Sequence, residues 1–243
     1  MLKYIRFLSL LLILSIISIL IYKNRRVIPS PQTIVETVVP QPTKILENGL
    51  PNKYLIKTAF VPQAPEKNWD QPWQDACEES ALLNVHYYYQ SITPEIGTMI
   101  NDLTEIIAFE QEQSWSHDVN LSQMAYVAKN LWAYDTQIVD NPTIDDLKKY
   151  LVNDVPVIVP ANGKTLYKEN KHFKSGGPWY HNLVILGYDD DKNQFIVHDV
   201  GTQFGAYFHY SYSLLMDSIH DFPASNRKED INSGTPRVLI LLK

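Results

Sequence analysis

The feature that most constrains this chain is a change of period near residue 152. Upstream, apolar residues recur every three or four positions, which lays them along one face of a helix. Leu82, Val85 and Tyr89 do so within CEESALLNVHYYYQ, where Asp75 is the expected N-cap and Glu78 and Glu79 suit the positive end of the helix dipole. Ile96, Met99, Ile100, Leu103 and Ile107 mark a second helix, and Leu121, Met124, Ala128, Leu131 and Trp132 a third. Ile144, Leu147 and Leu151 mark a fourth, opening at Thr143 after Pro142. Downstream the runs are short, β-branched or aromatic, and bounded by turn residues: VPVIVP (155–160), NLVILGY (182–188), QFIVHD (194–199), AYFHY (206–210) and RVLILL (237–242). Helices first and an antiparallel sheet afterwards predict an α+β fold. The acidic run at 189–193 reads as a solvated turn, since it lacks the ligand spacing of a calcium loop.

Ahead of this body stand two segments of another kind. Residues 7–22, FLSLLLILSIISILIY, carry no charge, and as a helix they would extend roughly 24 Å, at the short end of a membrane span. No small-residue cleavage site follows them, so an uncleaved single-pass anchor over residues 1–26 is expected rather than a signal peptide. Residues 27–45 hold Pro29, Pro31, Pro40 and Pro42 without a helical period, the composition of an extended stalk. The body is expected to occupy residues 46–243. Positive charges flank both ends of the apolar stretch, so charge alone gives no orientation. A short amino-terminal tail staying in the cytoplasm would put the body outside, at the cell membrane.

Charge divides along the same boundary. The chain has 21 basic and 27 acidic residues, and five of the bases but none of the acids lie in the first 26 positions. That leaves 16 bases against 27 acids in the remainder, a net −11. An acidic body excludes a nucleic-acid partner, which needs a basic footprint. One cysteine, Cys77, excludes an internal disulfide and a multi-cysteine zinc site. Neither a metal nor an organic cofactor is implied.

Cys77 falls at the start of the first helix, where amide N–H groups and the dipole should lower a thiol pKa and favour the nucleophilic thiolate. A base must come from one of seven histidines. His86 lies well along the same helix and reads as structural. His117, His172 and His220 lie in polar, loop-like surroundings, and His209 in a strand. His181 and His198 flank one hairpin. If Tyr188 pairs with Gln194 across its turn, Asp199 faces Leu183, and His181 shares the face of Asp199 as a diagonal neighbour while His198 points the other way. A His and an Asp so placed could supply the base and its orienting group.

The strings FVPQAPEKNWD (60–70), QDACEES (74–80), YHNLVILGYDD (180–190) and HDVGTQFGAYFHYSY (198–212) together resemble the bacteriocin-processing-peptidase-like family of papain-like cysteine peptidases. The resemblance covers about residues 55–222. It implies a papain-like fold with Cys77 as nucleophile, His181 as base, Asp199 as orienting residue and a glutamine as oxyanion donor. Gln63 is the best match for that glutamine, with Gln71 and Gln74 as competitors. Leader-cutting members of the family carry Asp-Cys-Gly and are fused to transporter domains. This chain has Ala76-Cys77-Glu78 and no Walker loop, so cleavage after a double glycine is not implied.

The expectation is therefore a membrane-anchored cysteine peptidase or amide hydrolase acting on a peptide or protein substrate. The alternative is an inactive papain-like domain displayed at the cell surface as a binding or scaffold module. Residues 161–180, with Lys164, Lys168, Lys171 and Lys174 and the pair Gly176-Gly177, are expected to border the substrate cleft.

Overall fold

A computed structural model describes residues 49–243. The expected anchor (1–26) and stalk (27–45) lie outside the described residues. Among the described residues no helix is long and apolar enough to cross a membrane. The body is α+β, as the change of period predicts. Seven antiparallel strands form one sheet: β1 (Lys53–Leu55), β2 (Asp135–Asp140), β3 (Val157–Asn162), β4 (Tyr180–Asp189), β5 (Gln194–Asp199), β6 (Phe208–Ser211) and β7 (Arg237–Leu242). The path runs β2-β7-β3-β4-β5-β6, with β1 added at the far end of β4. Four longer helices, α1 (Cys77–Gln90), α2 (Ile96–Glu112), α3 (Leu121–Trp132) and α4 (Ile144–Leu151), are joined by short α5 (Gly163–Leu166) and α6 (Tyr212–Ser218).

Each long helix begins where its sequence allows. Asn120 caps α3 and Thr143 caps α4, each accepting from the backbone N–H three residues on, while that residue's side chain bonds back to the cap N–H. The start of α1 departs from expectation: its N-cap is Ala76, which makes no side-chain capping bond, and Asp75 ends a short 3-10 turn instead. A further departure concerns burial. The spacing of Leu82, Val85 and Tyr89 suggests a single apolar stripe, yet α1 is buried on every side from Cys77 to Val85, Glu78 and Glu79 included. It is a central helix, wedged between β4 on one side and α2 and α3 on the other.

The hairpin register is one residue off at the turn and correct at the site. Asp189 pairs with Gln194 and Tyr188 with Phe195, so the assumed Tyr188–Gln194 pairing does not occur. A bulge between Ile185 and Gly187 absorbs one residue, and from there Val184 faces His198 and Leu183 faces Asp199. Two strands escaped the sequence reading. β1 has three residues, and β2, DTQIVD, is an edge strand that stays half exposed along its centre. The acidic turn is held by ion pairs: Lys53 contacts Asp189 and Asp191, and Lys148 contacts Asp190.

Candidate active site

Asp199 ends β5 fully buried, and four donors converge on its carboxylate. His181 Nε2 lies 2.8 Å from Oδ1, and the Gly201 N–H donates to the same oxygen at 3.2 Å. Asn170 Nδ2 at 2.9 Å and the Tyr210 hydroxyl at 2.5 Å serve Oδ2. Burial pushes this carboxyl upward, but the His181 charge and the bonds from His181, Tyr210 and Asn170 outweigh it and hold the pKa below the ordinary carboxylate range. An ionised carboxylate only accepts, so the shared proton sits on Nε2 and Nδ1 of His181 is left as a basic nitrogen. The imidazole has little room to turn. Phe173 meets it edge-on, 5.2 Å between ring centres, and a Cβ on Gly201 would come within 2.7 Å of Cε1.

His198, one residue before Asp199, points to the opposite side of the sheet, as strand alternation requires. Its Nδ1 donates to Asn84 Oδ1 at 2.9 Å, and Phe60 and Tyr207 enclose the ring. Burial drops its pKa to about 3, so it stays neutral. Asn84 lies on α1 and also clasps Val61 through both its N–H and its carbonyl. Adjacent residues of β5 thus do two jobs: Asp199 orients His181, and His198 ties the strand to the helix that begins with Cys77.

Cys77 is the first residue of α1, 5% exposed, and shares one cleft of about 570 Å³ with His181 and Gln63. Its surroundings overturn the expectation of a lowered thiol pKa. Burial raises it, and so does the charge of Glu78, to whose Oε2 the thiol donates at 2.9 Å. Burial together with Glu79 and Asp118 pushes Glu78 up as well, and its Oε1 accepts the Val119 N–H at 3.1 Å. Behind Glu78, Glu79 is raised to about 7 and Glu110 to about 11, chiefly by burial. The helix dipole is real, but buried carboxyls stand where it would have acted alone.

Gln63 is buried beside the approach to α1. Its N–H reaches the Val200 carbonyl, and its Nε2 donates to the carbonyls of Trp73 (3.0 Å) and Gln74 (2.9 Å). Both amide hydrogens therefore brace the segment leading to Cys77. Gln74 lines the same cleft, whereas Gln71 does not, its side chain donating to Asp75 at the cleft edge. Of the other histidines, His86 stacks on Trp132 as a structural residue, and His172, read as a loop residue, lines the cleft against Phe204. The 161–180 segment forms one wall of the cleft through Lys164, Phe173, Lys174, Pro178 and Trp179. Gly201, Tyr210 and Asn170 went unread in the sequence. A glycine two residues past Asp199 was the only local signal of the first, and none marked the other two.

A buried His–Asp pair and a helix-leading thiol opening on one cleft belong to the cysteine-type peptidase class. The chain is a member of the Peptidase_C39 like family, whose model matches residues 57–223. It matches no curated protein. Among solved structures it is similar to a C39-like peptidase from Bacillus anthracis, at 14% identity with a TM-score of 0.48, covering 79% of this chain and 98% of that one. It is also similar to xylellain, a cysteine protease from Xylella fastidiosa, at 14% identity with a TM-score of 0.43, covering 80% and 87%. The family assignment rests on the family match.

Proposed function

We propose that the chain is a membrane-anchored cysteine peptidase or amide hydrolase, with residues 1–26 as a single-pass anchor, residues 27–45 as a stalk and the catalytic body outside the cytoplasm. The observation that carries the catalytic reading is the His181–Asp199 pair, desolvated, fixed by three further donors and set in the cleft that also holds Cys77. In this reading a substrate carbonyl enters the cleft, His181 Nδ1 takes the thiol proton, and Cys77 Sγ attacks. His181 then passes that proton to the leaving amine, and water hydrolyses the thioester with the same residue acting as base. Asp199 stabilises the imidazolium while keeping its own charge. The Cys77 N–H, one of the first-turn donors of α1 without an intrahelical partner, is one arm of the oxyanion site. Gln63 is the other, exchanging one of its two carbonyl partners for the developing oxyanion.

A second reading is favoured by one observation: the thiol is buried, held on Glu78 and raised in pKa. An inactive surface domain, kept for binding, would tolerate that state permanently. A quenched-peptide library incubated with the full-length chain and with Cys77→Ala separates the two. The peptidase reading expects cleavage that disappears in the variant; no cleavage by either, together with a native thiol inert to peptidyl electrophiles, would leave the scaffold reading.

A further inference from the structure

Two lysines that line the cleft have no carboxylate partner among the described residues. Of the four lysines in the 161–180 segment, Lys164 and Lys174 line it. The Lys164 ammonium sits 5.3 Å from the centre of the Trp179 ring and donates to the Ser175 carbonyl at 3.2 Å, which brings it beside the backbone next to Lys174. An ammonium has three N–H groups, so a donor remains for a ligand. Among the described residues neither lysine has a carboxylate partner, although Lys53, Lys148, Lys149 and Lys228 all do. The acids that share the cleft are already engaged: Asp118 pairs with Lys228 at 3.8 Å, and Asp75 accepts from Gln71 at 2.6 Å. Lys164 and Lys174 thus place two cations without carboxylate partners on one wall of the cleft, in a body with 26 acids against 15 bases.

The segment bearing them is built rather than loose. Asn162 caps α5 by accepting from the Lys164 and Thr165 N–H groups. A Cβ on Gly163 would meet Pro178 at 2.6 Å, and one on Gly177, whose φ is +81°, would meet the Gly163 carbonyl at 2.3 Å. The two limbs of the segment therefore touch backbone to backbone, which fixes Lys164 against Trp179 before any ligand arrives. Preorganised cations beside an aromatic face recognise a planar anion with little ordering cost.

Resting on the reading of this cleft as a peptide-binding site, we propose that it selects peptides carrying a carboxylate near the scissile bond, bound by Lys164 and Lys174 beside the Trp179 ring. The carboxylate could come from an Asp or Glu side chain or from a peptide C-terminus, and the two sources separate experimentally. The overall charge of the body repels such a substrate at long range, so recognition is local and short-ranged.

The test measures binding, so that it does not depend on turnover. Full-length Cys77→Ala is titrated with fluorescein-labelled peptides from a randomised library in which one position is Glu, Gln or Lys, each made with a free and an amidated C-terminus. Glu peptides should bind about tenfold more tightly than their Gln counterparts, with Lys peptides weakest. The gap should vanish in a Lys164→Met/Lys174→Met variant and survive in Lys164→Arg, which keeps the charge and controls for folding. If the preference follows the free C-terminus and not the side chain, the anion is the terminal carboxylate. Equal binding of Glu, Gln and amidated peptides, or a preference that persists in the double Met variant, overturns the proposal. Cleavage of peptides by the wild type without any acidic preference would overturn this inference and leave the peptidase reading standing. Loss of cleavage activity with acidic binding retained would do the reverse.

Discussion

The two walls that bring Cys77 and His181 to one cleft are built on opposite principles. On the hairpin wall the buried carboxylate is fully partnered: Asp199 accepts from His181, Gly201, Asn170 and Tyr210, and the bulge in β4 sets the register that makes this possible. On the helix wall, buried carboxyls are crowded together. Cys77 donates to Glu78, Glu79 and Glu110 lie behind it, and Asp118 is close enough to raise both the thiol and Glu78. The hairpin holds a carboxylate and its imidazole partner in place before substrate arrives, whereas the helix stabilises a neutral thiol. In the proposed mechanism thiolate formation therefore belongs to the reaction rather than to the resting protein. There His181 supplies the drive, while burial and Glu78 keep the sulfur protonated beforehand.

Removing the organised half should have the largest effect. His181→Ala should lower kcat/KM on any cleaved peptide by about 10⁴-fold. Asp199→Asn should cost about as much, because the amide favours the wrong imidazole tautomer while occupying the same space. Steady-state kinetics on both variants check this, and a loss under tenfold for either would show that the hairpin is not the base.

Gly201→Ala asks whether orientation matters apart from chemistry. The added Cβ would press on His181 Cε1, so kcat should fall by about 10²-fold with KM nearly unchanged. A rise in KM with kcat unchanged would mean that the glycine serves substrate binding instead.

The helix wall should respond in the opposite sense. Glu78→Gln keeps the acceptor for the Val119 N–H but removes the charge beside the thiol, so iodoacetamide should alkylate native Cys77 about tenfold faster at pH 7.5. A slower or unchanged rate would break the comparison on that side.

The smallest effect concerns stability. Glu110 is raised in the folded state, so its contribution is complete below the ordinary glutamate pKa and is lost as pH rises toward about 11. Glu110→Gln should therefore raise Tm over the wild type by about 2–4 °C at pH 8 and by less at pH 5. Thermal scans at the two pH values read the difference directly.

How much of this was legible in the sequence follows from what each feature depends on. Periodicity placed α3 and β5 at their observed bounds and α1 within one residue at its start, because helix stripes and short β-branched runs report burial. The shared face of His181 and Asp199 follows from strand alternation together with an assumed turn pairing. It survived an error of one residue at the turn only because the bulge at Leu186 restored the register, and a bulge leaves no mark in a run such as NLVILGY. The nucleophile's environment was misread for a similar reason. A helix start predicts an anion-friendly site, but that Glu78 and Glu79 are buried beside the thiol, rather than exposed at the helix start, depends on packing from elements far along the chain. The donors to Asp199 from Asn170 and Tyr210 arise from a folded loop and a neighbouring strand, so no local pattern could have named them.

The measurement that bears most directly on the central claim is the pH dependence of Cys77 labelling by a peptidyl electrophile in the native full-length chain, with His181→Ala as the comparison. The account predicts rapid labelling near pH 7 in the wild type despite a raised thiol pKa, because the bound peptide-like reagent engages the His181 base. In His181→Ala the reaction should be slow at that pH and rise only as the solution becomes alkaline enough to ionise the thiol unaided. Superimposable profiles for the two proteins, or labelling of the wild type only after denaturation, would contradict it.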